Sequence, residues 1–142
     1  MKVLIVEDGM EYLEFATVFL RDWETRRAGN ADEALRMLGA WTPDALLIDL
    51  RFERAAEETL LGEVGATADR LFGGDRIRAR HYLEDNQGAL ILAEIRRAGH
   101  HQPALFVNDM PERRLANLQR LYGDVRAVPG FDAAAMQRAL RT

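Results

Sequence analysis

Cysteine is absent from the 142-residue chain, which excludes disulfide scaffolds, thiolate zinc sites and cysteine nucleophiles. Lysine is nearly absent too: of the 19 basic residues only Lys2 is a lysine. Any chemistry that needs an amine side chain must therefore use Lys2. No apolar run approaches the ~18 residues that a membrane span requires, and Met1 to Val6 is too short to serve as a signal peptide. The expectation is an unexported, cytoplasmic chain with no membrane partner. An excess of positive charge is missing as well, since the formal net charge is -4, so nothing attracts the chain generally to nucleic acid or anionic lipid. What remains is an ordinary globular balance of 48% hydrophobic and 30% charged residues, far from the composition of disordered chains. The length suits one compact domain spanning 1–142.

Val3 to Val6 is a short apolar run closed by Glu7-Asp8-Gly9, the pattern of a strand buried on both faces. Leu13, Ala16, Val18, Phe19 and Leu20 then follow a helical stripe within Met10 to Asp22. Trp23 to Ala28 reads as a short edge strand. Asn30 stands at an N-cap position with Glu33 three residues on, ahead of a helix closed by Gly39 and Pro43. Ala45 to Ile48 repeats the first strand and again ends in a carboxylate, Asp49. Gly88 to Ala98 is helical, Pro103 to Val107 is a strand ending at Asn108, and Pro111 opens a helix that stops at Gly123. Val125 to Val128 makes a last strand, and Asp132 caps a terminal helix reaching about Arg141. Five strands alternating with helices imply an α/β fold, a right-handed doubly wound parallel sheet.

Residues 51–87 are too long for an ordinary loop and form an insertion. Within it Ala56, Leu60, Leu61, Val64, Ala68, Leu71 and Phe72 recur at helical spacing up to Gly73-Gly74, which predicts one inserted helix. Arg76, Arg78 and Arg80 alternate with Ile77 and Ala79, which predicts a short strand or an extended arm. The insertion is either a partner-binding or dimerising arm or a packed decoration.

Ligands of open α/β sheets gather at the carboxyl ends of the strands. Glu7 and Asp8 follow the first strand and Asp49 follows the third, so adjacent strands would bring three acids onto one patch. Clustered carboxylates repel unless a cation sits among them. Mg²⁺, a hard ion that takes oxygen ligands in an octahedron and usually keeps several waters, is served by two or three carboxylates and a backbone carbonyl. The pattern predicts an acidic, Mg²⁺-binding site.

With these residues in place the chain resembles the receiver domain of bacterial two-component response regulators. The likeness rests on Glu7-Asp8 after Val3 to Val6, Asp49 after Ala45 to Ile48, Gly88 opening a helix, and Pro103 followed by Asn108. It covers about residues 1–50 and 88–142. The resemblance implies a flavodoxin-like five-stranded sheet of order 2-1-3-4-5 flanked by helices. It makes Asp49 the phosphoacceptor and Glu7, Asp8, Asp49 and the Arg51 backbone carbonyl the Mg²⁺ ligands. It also implies a histidine kinase or phosphotransfer protein upstream, a downstream protein partner, and a monomer or homodimer. Asn108 occupies the position of the family's usual Ser or Thr, and the stretch Ala127-Val128-Pro129-Gly130-Phe131 lacks the family's lysine. Arg126 or Ala127 replaces the usual aromatic residue of the last strand. Lys2 lies at the wrong end of the first strand, roughly 15 Å from the acids at ~3.3 Å per residue. Arg51, Arg54, an insertion arginine or Arg126 is the candidate substitute for that lysine.

The leading expectation is thus an atypical stand-alone receiver that acts by protein contact, not an enzyme beyond phosphorylation and dephosphorylation of Asp49. The alternatives are a Mg²⁺-dependent phosphoryl-transfer enzyme of phosphatase or Toprim-like type, or a non-phosphorylated pseudo-receiver. Against the enzyme, Asp49-Leu50-Arg51 lacks a second acid two positions on. His100-His101 reads as an exposed turn, Trp23 and Trp41 as core anchors, and Arg76 to His81 as a solvated mixed-charge face.

Overall fold

The computed structural model of the protein describes residues 1–141. Its elements are β1 (Lys2–Val6), α1 (Glu11–Phe19), β2 (Glu24–Ala28), α2 (Ala31–Ala40), β3 (Ala45–Ile48), α3 (Val64–Leu71), α4 (Arg76–Asp85), α5 (Gln87–Arg97), β4 (Ala104–Phe106), α6 (Glu112–Tyr122), β5 (Val125–Ala127) and α7 (Ala133–Leu140). All strand pairs are parallel and the order is β2-β1-β3-β4-β5, the flavodoxin-like arrangement. None of the described helices is long and apolar enough to cross a membrane.

Period-two alternation divides each central strand between two cores. Leu4, Val6, Leu46, Ile48, Ala104 and Phe106 face one side, where Leu38 and Trp41 beside α2, Ile91 and Ile95 of α5 and Leu118 of α6 close over them. Val3, Ile5, Ala45, Leu47 and Leu105 face the other, under Tyr12 and Ala16 of α1 and Met136 and Leu140 of α7. Because both faces are covered, the strands read as continuous apolar runs. β2 is an edge strand, and its ETRRA sequence is correspondingly half exposed. Local caps set the helix starts: Asn30 accepts from the Glu33 N–H at 2.9 Å, and Asp132 from that of Ala135 at 2.9 Å.

The insertion differs from the sequence expectation in two places. Residues 76–80 form neither a strand nor an arm; they open α4, because Asp75 accepts from the Ile77 and Arg78 N–H groups and Ala79 and Leu83, four apart, are both buried. Two alternations were too short a run to outweigh a cap. The helix expected across Ala56 to Phe72 begins only at Val64, after a 3₁₀ turn at Glu57–Thr59, since Gly62 sits at φ +90° and Glu63 caps the Gly65 and Ala66 N–H groups. α3 and α4 share a small core of Val64, Ala68, Ala79 and Leu83, against which Phe72 and Leu90 pack.

Two anchors fix this unit to the sheet layer. Phe52 and Leu60 are buried in the main core. Gln87, 1% exposed, accepts from the Leu61 N–H at 2.6 Å and donates to the Leu61 and Leu83 carbonyls. α5 then begins directly beside the end of β3, where a Cβ on Gly88 would lie 2.3 Å from the Asp49 carbonyl oxygen.

Candidate functional site

β1 and β3 are neighbours in register, Val6 opposite Ile48, so the residues that follow them emerge together at the carboxyl edge of the sheet. Asp8 and Asp49 line one cleft of ≈ 210 Å³, shared with Arg51, Glu53 and Arg54. One Asp49 carboxylate oxygen accepts from the Arg51 N–H at 3.3 Å and from the Asn108 side-chain amide at 3.4 Å. Asn108 also accepts from the Leu50 N–H at 3.0 Å. Its amide thus uses both ends, holding the acid with one and the backbone beside it with the other. A hydroxyl in that place would be shorter and would leave the Leu50 N–H less firmly engaged.

Glu7 is the exception among the three acids. It is 1% exposed, and its two oxygens accept from the Tyr12 and Leu13 N–H groups at 3.0 and 2.9 Å. It therefore caps the first turn of α1, satisfying N–H groups that no preceding turn can pair. Asp8 and Asp49 line one cleft, while the buried Glu7 carboxylate faces the start of α1. Among the described residues no group of three His, Asp or Glu side chains is placed to hold a metal ion.

Mg²⁺ asks for less than that. Two carboxylates lining one cleft, with the remaining positions filled by water or backbone oxygen, match its usual donor set. Asp8 and Asp49 fit, and Arg51 lines the same cleft.

Arginines surround this acid pair unevenly. Arg54 donates its backbone N–H to Asp8 at 2.7 Å, and its guanidinium lies 2.7 Å from Glu11 and 3.9 Å from Asp8. Arg126 faces the other way, paired with Asp124 at 2.9 Å and donating to the Ala139 carbonyl. Arg80 is engaged by Glu57 and Glu84. Of the arginines considered from sequence, only Arg51 and Arg54 line the acid cleft. In the stretch after β5, Val128 packs on the core, and Lys2 is at the far end of β1, its backbone N–H bonded to Asp44.

Tyr12, Glu11 and Glu53 join the site without having been singled out in the sequence. The Tyr12 hydroxyl donates to the Val107 carbonyl at 3.2 Å, next to Asn108, and its ring stacks on Phe131 at 4.4 Å. An acid in the first turn of α1 was the one legible signal for Glu11. Away from the cleft, Trp41 is a buried core residue, Trp23 packs partly against the core, and His81 pairs with Glu84 at 3.3 Å.

Burial raises the pKa of Asp49 above its ordinary 3.8, aided by Asp8 and Glu11 and opposed by the Arg51 N–H and the Asn108 amide. Burial also raises Glu7 above 4.5, outweighing its two N–H donors and Arg27. For both groups the folded chain retains a proton that the unfolded chain has lost, so stability falls as pH rises from these ordinary values through the raised ones. Asp49→Asn removes one of the two penalties. The melting temperature of that variant is expected to exceed wild type by a few degrees at neutral pH, with the gap closing as pH drops below 3.8. Thermal melts of both proteins across pH check this; a gap independent of pH would refute it.

No protein-family model matches the chain, and no curated protein matches it. Solved structures do. The receiver domain of NtrX from Brucella abortus aligns at 20% identity and TM-score 0.61, covering 99% of this chain and 98% of that one. The receiver domain of Francisella response regulator 1452 aligns at 17% identity and TM-score 0.59, over 98% and 92%. A response regulator receiver domain protein from Clostridium thermocellum aligns at 14% identity and TM-score 0.62, over 98% and 90%. The chain therefore has the fold of response regulator receiver domains along nearly its whole length.

Proposed function

We propose that residues 1–142 form one atypical receiver module of a two-component signalling pathway, with Asp49 as its phosphoacceptor and Mg²⁺ held by Asp8, Asp49 and the Arg51 carbonyl. The observation that carries this reading is the placement of Asp49 beside Asp8 in an open cleft at the carboxyl edge of the sheet. A carboxylate oxygen of Asp49 attacks the phosphorus of an acyl phosphate or phosphohistidine, the bond to the donor breaks, and an aspartyl phosphate results. Mg²⁺ supplies charge neutralisation on the transferring oxygens. Asn108 orients the acceptor through its amide. Glu7 supports the site indirectly, by fixing the start of α1 next to Asp8. The donor is a histidine kinase or phosphotransfer protein, and the output is contact with a downstream protein in the cytoplasm, by a monomer or homodimer.

Incubation with acetyl phosphate and Mg²⁺, followed by intact mass measurement, tests the proposal. Wild type is expected to gain one phosphoryl group, and Asp49→Asn none. Absence of labelling in wild type sinks the phosphoacceptor role.

A second reading, a pseudo-receiver read by its partner without phosphorylation, is favoured by two observations. The single lysine, Lys2, stands at the opposite end of β1 from the acids, and the Leu50 N–H beside the acceptor is already bonded to Asn108. Mg²⁺-induced NMR shifts without covalent labelling would select it. Turnover of a generic phosphoester would instead select the phosphatase-like alternative.

A further inference from the structure

We infer that Arg54, at the start of the insertion, is the resident counter-ion of the acid cleft, and that a divalent cation binds only by displacing this strap from Asp8. The inference rests on the cleft being the metal site proposed above, and adds that the insertion senses its occupancy.

Both Asp8 oxygens face Arg54: one accepts its backbone N–H at 2.7 Å, and the other lies 3.9 Å from its guanidinium. Glu11, on the first turn of α1, grips the same guanidinium at 2.7 Å. Together these contacts lay the insertion across the loop between β1 and α1. The Asp8 side chain is only 5% exposed, whereas that of Arg54 is 62% exposed. The strap covers the acid and is itself free to swing into water.

Gly9 lies directly beneath this pair: a Cβ there would lie 2.2 Å from a terminal guanidinium nitrogen of Arg54 and 2.2 Å from a carboxylate oxygen of Glu11, the far ends of two flexible side chains.

One Asp8 oxygen already accepts the Arg54 N–H, and a cation at the other is repelled by the guanidinium that faces it at 3.9 Å. Cation and guanidinium compete for the same acid. Movement of Arg54 is confined to a short lever, because Phe52, two residues earlier, is buried and bonded to the Glu84 carbonyl of α4 at 2.9 Å. Ala55, one residue later, accepts from Arg80 of α4 at 3.5 Å. Release of the strap therefore reaches the insertion helices directly.

Calorimetric titration of the full chain with MgCl₂ tests the inference. Arg54→Ala is expected to bind Mg²⁺ about tenfold more tightly than wild type, the size set by repulsion between a unit and a double charge several Å apart. Glu11→Gln, which loosens the grip on the guanidinium, falls between them. Arg36→Ala makes the same charge change on α2 and leaves the affinity at the wild-type value. Hydrogen exchange adds a second readout: saturating Mg²⁺ unprotects the Arg54 amide and spares that of Phe52. Equal or weaker Mg²⁺ binding by Arg54→Ala, or an Arg54 amide that stays protected, overturns the displacement while leaving the metal site intact. No Mg²⁺ binding by any of the proteins overturns both.

Discussion

Gly88→Ala is expected to lower stability by about 2 kcal/mol or more, the overpacking range, and to remove phosphoryl labelling of Asp49 with it. The substitution has one favourable component, since Ala gains about 1 kcal/mol over Gly inside a helix. Against it stand contacts of 2.3 Å to the Asp49 carbonyl oxygen and 2.8 Å to the Leu50 Cα. These are backbone atoms, so no rotamer change relieves them, and the 2.9 Å bond from the Gly88 N–H to the Leu50 carbonyl is stretched as α5 moves away. The peptide that would shift is the one that carries the acceptor. Gly39→Ala is the control: it lies inside α2 with nothing within 4 Å of its added Cβ, and is expected to stabilise by about 0.5 to 1 kcal/mol through propensity alone. Urea melts and acetyl-phosphate labelling of both variants check the pair. A Gly88→Ala protein as stable as wild type would show that the close approach of α5 to Asp49 is not obligatory.

Glu7→Ala is expected to cost about 2 to 4 kcal/mol, because the buried Tyr12 N–H and the partly buried Leu13 N–H lose their acceptors, at about 1 to 3 kcal/mol for the first and about 1 kcal/mol for the second. Glu7→Gln keeps an acceptor oxygen without the charge and should recover a large part of that loss. The two variants separate a helix cap from a metal ligand. As a cap, Glu7→Gln folds well and retains Mg²⁺ affinity. A fully stable Glu7→Gln that no longer binds Mg²⁺ would return Glu7 to the ligand set. Denaturant unfolding together with Mg²⁺ titration distinguishes these results.

The role of Glu7 also shows how far an acid pair can be read. In the sequence Glu7 and Asp8 are equivalent carboxylates after a buried strand. In the fold they separate, because adjacent residues leaving a strand point in opposite directions. One meets the N-terminus of α1, and the other meets Asp49. The longer, buried side chain reaches the helix, where its two oxygens replace the missing partners of the first turn.

The insertion marks a different boundary. The α3 half of the small core was legible as Val64, Ala68 and the Gly73-Gly74 stop. The start of α3 and the helical state of Arg76 to Arg80 depended on the caps at Glu63 and Asp75, which periodicity does not count. The reach of Arg54 to Glu11, across 43 positions of chain, left no local trace at all.

By itself, the sequence determined the five strands, the alternation that makes their sheet parallel, and the positions of Asp8, Asp49 and Asn108 at strand ends, because apolar runs and the chemistry of strand termini are local properties. Tertiary structure alone decided which acid faces the cleft, which arginine joins it, and why Gly88 carries no side chain. Those outcomes turn on distances of a few Å between segments far apart in the chain, and such distances exist only once the elements have packed.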